Sequence, residues 1–115
     1  MTEADLNPLL KPLVGGQAYP YVVKLTPEGQ PAVKPPWIVY TVPDENRGDV
    51  FCGTAETASM VQIDVYASSI DEAKAIRAQA EEAVKVLSPA EIHLFSGHEP
   101  DTGLFRASFE FSVWR

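Results

Sequence analysis

The strongest constraint on the fold is the unbroken alternation of apolar and polar side chains in residues 105–113. Successive side chains of a β-strand point to opposite faces, so a repeat of two residues indicates a strand with one buried face. The apolar series is Phe105, Ala107, Phe109, Phe111 and Val113, and the polar series is Arg106, Ser108, Glu110 and Ser112. Because the apolar series is rich in phenylalanine, this segment is predicted to be a central or near-central strand.

A second alternating segment covers residues 59–67. Val61, Ile63 and Val65 point to one face, whereas Gln62, Asp64 and Tyr66 point to the other. We therefore expect a strand whose apolar face contacts the core and whose polar face is free to bind water, a ligand or another subunit.

The longest predicted helix follows directly. Ser69 and Glu72 form a capping box, in which each side chain accepts a hydrogen bond from the other residue's free backbone N–H. An apolar stripe at helical spacing comes next, made of Ile70, Ala73, Ile76, Ala80, Ala83, Val84 and Leu87. Pro89 cannot continue a helical hydrogen-bond ladder, so the helix is predicted over residues 70–87.

The first third of the chain is dominated by proline. Eight of the ten prolines lie at or before Pro43, which excludes long uninterrupted helices or central strands there. A short helix is predicted from leucines at helical spacing, Leu6, Leu9, Leu10 and Leu13. Residues 21–25 are predicted to form a short strand, residues 26–36 a flexible exposed loop, and residues 37–42 a strand buried on both faces.

The remaining segments complete the predicted architecture. Residues 43–57 are polar and contain glycine, so they are predicted to form a long flexible loop. Residues 91–95 predict another strand, and residues 97–103 a turn into the last strand. We therefore expect a single α+β domain over residues 1–115: a mostly antiparallel four- to five-stranded sheet with one long and one short helix packed on one face.

Charge and reactive side chains argue against several function classes. Nine basic and sixteen acidic residues give a net charge of −7, which repels nucleic acid. The lone Cys52 has no neighbouring histidine to activate it, and His93 and His98 face opposite sides of an extended segment without a third ligand. No apolar run reaches the roughly 18 residues of a membrane span. We therefore predict a soluble, cytoplasmically made chain with no catalytic residues, metal or cofactor.

Four stretches of the sequence resemble the tail-completion or tail-terminator family of long-tailed bacteriophages and prophages. They are AYPYVV, PPWIVYTV, VQIDVYASSIDEAKAIRAQAEEAV and EPDTGLFRASFEFSVW, in that order from Ala18 onward. Each stretch alone is what an ordinary strand or strand–helix junction looks like, so their common order and spacing carry the resemblance. The chain departs from the family in a lengthened stretch between Leu25 and Trp37.

This resemblance implies a structural, non-enzymatic protein. Such a protein forms a ring, commonly a hexamer, at the head-proximal end of the tail tube, where it stops tube growth and docks to the head–tail connector. DNA would pass through the lumen without specific binding, and an acidic lining would suit that passage. The chain can remain a monomer until a partner orders its loops. The expected location is the cytoplasm of the bacterial host during assembly, then the virion tail.

Two functional interpretations remain open from the sequence. In the first, the loop at residues 43–57 contacts a neighbouring subunit or the tube, with Arg47, Asp49, Val50 and Phe51 as candidate partner-binding residues. In the second, the chain is a small-molecule-binding module or small enzyme with a pocket between helix and sheet, where Gln62 or Asp64 would fix a ligand.

Overall fold

The computed structural model describes residues 3–42, 45–47 and 57–114. The short helix α1 covers Glu3–Leu10 and continues as a 3-10 turn at Lys11–Val14. The long helix α2 covers Ile70–Ala83 and also ends in a 3-10 turn, Val84–Leu87. The strands of the described residues are β1 Ala18–Pro20, β2 Trp37–Thr41, β3 Glu45–Arg47, β4 Thr57–Ala67, β5 Ala90–Glu99 and β6 Leu104–Trp114.

The strands form one mixed sheet. Five of them follow the order β1-β2-β4-β6-β5, and β3 pairs with β4 outside this path. β1 and β2 run parallel, whereas the other strand neighbours are antiparallel. The two alternating segments of the sequence, β4 and β6, pair at the centre of the sheet, from Ala58 opposite Trp114 to Ala67 opposite Phe105. The predicted α+β class with a mostly antiparallel sheet is confirmed.

The third strand lies within the segment predicted to be a loop. Glu45 pairs with Ser59 and Arg47 with Thr57, so β3 runs antiparallel to β4 on the same side as β2. Thr41 of β2 pairs with Gln62, and Glu45 of β3 pairs with Ser59. Residues 41 and 45 are four positions apart, whereas residues 59 and 62 of β4 are three apart, so the register shifts by one residue. β2 and β3 together form one arm of a long hairpin with β4. Residues 43, 44 and 48–56 lie outside the described residues.

The main core lies between the helices and one face of the sheet. The strands contribute Ile38, Tyr40, Val61, Ile63, Val65, Phe109, Phe111 and Val113, and the helices and their end turns contribute Leu6, Leu10, Val14, Ile76, Ala80 and Val84. Burying one such large apolar side chain stabilises a fold by about 1.5–3 kcal/mol relative to exposure. The predicted apolar faces of both central strands are thus confirmed as core. Trp37 and Val39 are buried on the other face of β2, as predicted for a strand covered on both sides.

The long helix begins as its capping residues predict. The Ser69 hydroxyl accepts a hydrogen bond from the Glu72 backbone N–H at 3.1 Å. The Glu72 carboxylate accepts in return from the N–H of Ser68 at 3.4 Å, one residue earlier than in a standard capping box. At the other end, Ser88 adopts a left-handed conformation (φ 55°) after the 3-10 turn, and Pro89 follows. The helical region therefore spans the predicted residues, with its last turn tightened.

The prediction of a strand at residues 21–25 is wrong. The pairing segment lies earlier, at Ala18–Pro20, parallel to β2. Tyr21 has a positive φ of 67°, a conformation that a non-glycine residue rarely adopts, so the strand ends there. The prediction of a turn at residues 97–103 is also too long, because β5 continues through His98 to Glu99.

The segment that connects β1 and β2 is held by hydrogen bonds and does not project freely from the domain. Leu25 bridges to Pro31, and the Ala32 N–H donates to the carbonyl of Lys24 at 2.7 Å. The Gln17 side-chain amide also donates to the carbonyl of Pro36 at 2.8 Å. These bonds fold the connection back on itself and join its end to the residue before β1, and its residues Val22, Val23 and Pro31 lie near Asp64 and Tyr66 of the sheet. Among the described residues, no helix combines the length and apolar character needed to cross a bilayer.

Candidate functional site

The sheet face opposite the helices carries a partly open cleft of about 300 Å³, here called the polar-face cleft. β2 and β4 supply its floor, the segment after β1 one side, and the turn after β5 the other. Trp37, Asp64 and Tyr66 line the floor, Tyr21 and Pro31 one side, and Glu99 and Asp101 the other. The pocket that the sequence suggested between helix and sheet is therefore on the opposite face, because the helix side is filled by the apolar core.

Asp64 is the most buried charged residue of the described sheet, with 7% of its surface exposed. Its Oδ1 accepts a hydrogen bond from the hydroxyl of the fully buried Ser108 at 2.5 Å. The Gln62 amide is shared between the two carboxylate oxygens, at 3.1 and 3.2 Å. Burial of a carboxylate is costly unless donors compensate it, so the hydrogen bonds from Ser108 and Gln62 offset part of the cost of burying Asp64 and fix its position.

Tyr66 lies next to Asp64 on the floor of the polar-face cleft. Its ring stacks on Trp37, with ring centroids 5.5 Å apart and an interplanar angle of 27°. Burial, followed by the nearby charge of Asp64, raises the pKa of the Tyr66 phenol above its ordinary value, and a hydrogen bond with Arg106 opposes that rise. The floor thus combines an aromatic surface with a buried carboxylate.

Arg106 contacts two residues that line the cleft, Tyr66 and Glu99. Its guanidinium contacts Glu99 at 3.2 Å, and its Nε is buried and has no hydrogen-bond partner among the described residues. Gly97 pairs with Arg106 across β5 and β6, and a Cβ at Gly97 would lie 3.3 Å from the arginine Nη2. The absence of a side chain at Gly97 therefore lets the arginine lie across β5 and reach Glu99.

A second surface is the outer edge of β5. This strand pairs with β6 on one side, and the described residues place no strand on its other side. Ile92 and Leu94 on this strand are 53% and 49% exposed. An edge strand presents unpaired backbone N–H and C=O groups, and proteins usually protect such edges with proline, lysine or a covering segment. Between Ala90 and Glu99 the strand contains neither proline nor lysine.

The sequence-predicted contact residues are only partly located by the structure. The Arg47 backbone is paired with Thr57 at the base of the β3–β4 hairpin. Asp49, Val50 and Phe51 lie outside the described residues, as does Cys52. The structure therefore does not test these residues as a partner-binding site.

The two histidines of β5 are exposed, as predicted. His93 lies against Phe95 with ring centroids 5.9 Å apart, and His98 against Phe105 at 4.8 Å. They pair with Glu110 and Phe105 of β6, which belong to opposite faces of the sheet. In the part of the chain that the structure describes, no group of three or more His, Cys, Asp or Glu residues could hold a metal ion.

Sequence reasoning proposed Asp64 and Gln62 as ligand-fixing residues and placed Tyr66 on the same face, but it did not identify the other cleft residues. Gln62 donates to Asp64 and is not among the residues that line the cleft. Tyr66, Glu99 and Asp101 reach the same cleft because β4 and β5 both flank β6, and the turn after β5 folds over this face. The alternation of polar and apolar residues along β4 and β6 could have identified two of the residues on this face. Tyr66 and Arg106 share the polar series of their strands with Asp64 and Ser108, so the alternation alone placed all four on one face.

Comparisons with known proteins add three findings. The profile of a family described as tail completion protein gp17 matches residues 8–115. Among curated proteins, no sequence matches the chain. Among solved structures, a chain of the virion of a native gene transfer agent (GTA) particle is similar, with a TM-score of 0.58 and 17% identity, covering 92% of this chain and 84% of that chain. At this identity, the structural similarity is a similarity of fold.

Proposed function

The chain belongs to the tail completion protein gp17 family and is a structural protein of phage tails; from this premise we propose that it forms a ring that completes the tail. The ring, a hexamer in this proposal, sits at the head-proximal end of the tail tube, ends tube growth and docks to the head–tail connector. Each subunit is a single domain that acts by assembly and not by catalysis. The protein assembles in the host cytoplasm and then resides in the virion tail.

The observation that carries the proposal is the open edge of β5, beside which the described residues place no further strand, although its pairing with β6 shifts in register between Ala90 and His93. Its ten-residue strand exposes backbone groups and the side chains of Ile92 and Leu94 on one border of the sheet. At the opposite border of the sheet, β1 pairs with β2 and, beyond the end of β2, β3 pairs with β4. A sheet with a free edge on each side can be extended head to tail by further copies, and head-to-tail contacts close into a ring when the rotation between copies permits.

The β3–β4 hairpin supports contacts with other tail proteins. Arg47 at its base and Asp49, Val50 and Phe51 beyond it combine opposite charges with two apolar side chains. In the proposal these residues bind the adjacent subunit, the tail tube or the connector. The net charge of −7 supports a lumen that does not retain DNA, because an acidic surface repels phosphate.

The test is electron microscopy of the purified full chain, alone and mixed with tail tubes that lack it. We expect rings that cap one end of each tube. Leu94→Lys should prevent ring formation, because a charge on the edge opposes burial against a neighbour. Leu25→Lys is the matched control, since Leu25 is 46% exposed and Leu94 is 49% exposed, but Leu25 is not on β5. Uncapped tubes with wild-type protein, or equal effects of both substitutions, would refute the proposal.

A second experiment addresses the hairpin. Replacing residues 48–56 with a short glycine-containing turn retains β3 and the start of β4, so the domain should fold as before. We expect tails that no longer join heads in an assembly assay, with an unchanged circular dichroism spectrum. Normal head joining by this variant would exclude the hairpin from the contact surface.

A further inference from the structure

The polar-face cleft has a charge that the chain does not balance. Three carboxylates, from Asp64, Glu99 and Asp101, line it, and none of its lining residues is basic. The ion pairs of the described residues join Arg106 to Glu99 and Lys85 to Glu82. Two carboxylates of the cleft, Asp64 and Asp101, therefore have no cationic partner there.

Asp64 is the buried carboxylate of the cleft. Its carboxylate has about four acceptor positions, and among the described residues Ser108 and Gln62 donate to it, with the Gln62 nitrogen shared between both oxygens. The side chain is more than nine-tenths buried and lines the cleft. A buried carboxylate is strongly stabilised when a cation approaches it, because the low-polarity surroundings screen the attraction poorly.

The aromatic residues that line the cleft favour arginine over lysine as the bound cation. The phenol ring of Tyr66 lies on the floor and the half-exposed Tyr21 forms part of one side. Arginine stacks on aromatic rings through its planar guanidinium and carries five N–H donors, so it can serve carboxylates that lie in different directions. A lysine ammonium is a compact charge without a stacking plane.

We propose that the polar-face cleft binds one arginine side chain presented by another polypeptide. The guanidinium binds Asp64 on the floor and Asp101 at the side, and the aliphatic stem contacts the tyrosines. A volume of about 300 Å³ lies at the lower end of ligand pockets, which suits a single long side chain better than a larger molecule. This site goes beyond the proposed ring, since it needs only a folded subunit and an arginine-bearing partner.

The test is an NMR titration of the isolated full chain with the capped tripeptide acetyl-Gly-Arg-Gly-amide. Two further peptides replace the arginine with citrulline, which has a similar shape but no charge, or with lysine. We expect millimolar binding of the arginine peptide only, with backbone amide shifts concentrated at Thr41, Tyr66 and Thr102, which line the cleft. Because the unassembled chain is used, the result does not depend on ring formation.

Single Asp→Asn substitutions inside and outside the cleft test where the arginine peptide binds. Asp64→Asn should weaken it about tenfold, because a neutral amide replaces a charged acceptor. Asp101→Asn, in the exposed turn, tests the same cleft in a variant whose core is untouched, and it should weaken binding several-fold. Asp71→Asn makes the same charge change in the exposed first turn of α2 and should leave binding unchanged.

Three results would overturn the assignment. One is the absence of shifts at the cleft up to the solubility limit of the arginine peptide. Another is equal binding of the citrulline or lysine peptide, or equal weakening by Asp71→Asn, since either indicates attraction without recognition of a guanidinium. The third is tighter binding of free butylguanidinium than of the capped peptide, which would assign the cleft to a small cationic molecule.

Discussion

Removal of the Ser108 hydroxyl tests whether the buried carboxylate of Asp64 depends on its local donors. Ser108 is fully buried and donates to Asp64 at 2.5 Å, so Ser108→Ala leaves that carboxylate with the shared Gln62 amide alone. Hydrogen bonds to charged groups contribute about 1.5–3 kcal/mol to stability. We therefore expect the free energy of unfolding to fall by about 2 kcal/mol, which moves the urea midpoint down by roughly 1 M for a chain of this size.

Ser112 provides the control on the same strand. It is also buried, lies on the same sheet face, and donates its hydroxyl hydrogen bond to the Met60 sulfur at 3.1 Å. Sulfur is a weak acceptor, so Ser112→Ala should cost no more than about 0.5–1 kcal/mol. Urea denaturation followed by tryptophan fluorescence measures both variants. If Ser108→Ala costs no more than Ser112→Ala, the hydrogen bond to Asp64 does not contribute the stability expected of a bond to a charged group.

Further predictions concern the helix cap, the phenol and the core. Ser69→Ala should lower stability by about 1 kcal/mol in thermal unfolding through loss of the α2 cap, whereas Ser68→Ala should have little effect. Tyr66→Phe should remove one late component of the ultraviolet tyrosine titration and leave that of Tyr21, whose pKa is also raised; since folding raises the pKa of Tyr66, its contribution to stability is complete below pH 10 and is lost at higher pH. Phe111→Ala should cost about 3–5 kcal/mol and the exposed Trp114→Ala much less, by urea denaturation.

The sequence predicted the elements whose stabilising contacts follow from local periodicity. β4 and β6 each have one face against the helices and one against a mixed polar surface, so a repeat of two residues is visible in both. The long helix was predicted from its cap and stripe, because Ser69 and Glu72 satisfy backbone groups within one turn of each other. In these cases the interaction that forms the element is close in sequence.

The elements that were missed depend on distant partners. β1 is a three-residue strand that exists because it lies parallel to β2, with Ala18 opposite Ile38, and no local pattern encodes that contact. β5 extends beyond its predicted end because Gly97, a residue typical of turns, leaves room for Arg106 instead of breaking the strand. The burial of Asp64 likewise depends on the segments after β1 and β5, which fold over its face.

The arrangement of β5 links the two surfaces. Glu99 ends this strand and also lines the polar-face cleft, whereas Ile92 and Leu94 lie on its exposed part. A neighbour bound along the whole β5 edge would therefore lie close to the side of the cleft that Glu99 forms. Leu94→Lys should then abolish ring formation while leaving arginine-peptide binding by the monomer intact, and Asp101→Asn should weaken peptide binding in a protein that retains an unaltered β5 edge. Loss of peptide binding in Leu94→Lys, in a variant shown to be folded, would mean that the edge and the cleft are not separate sites.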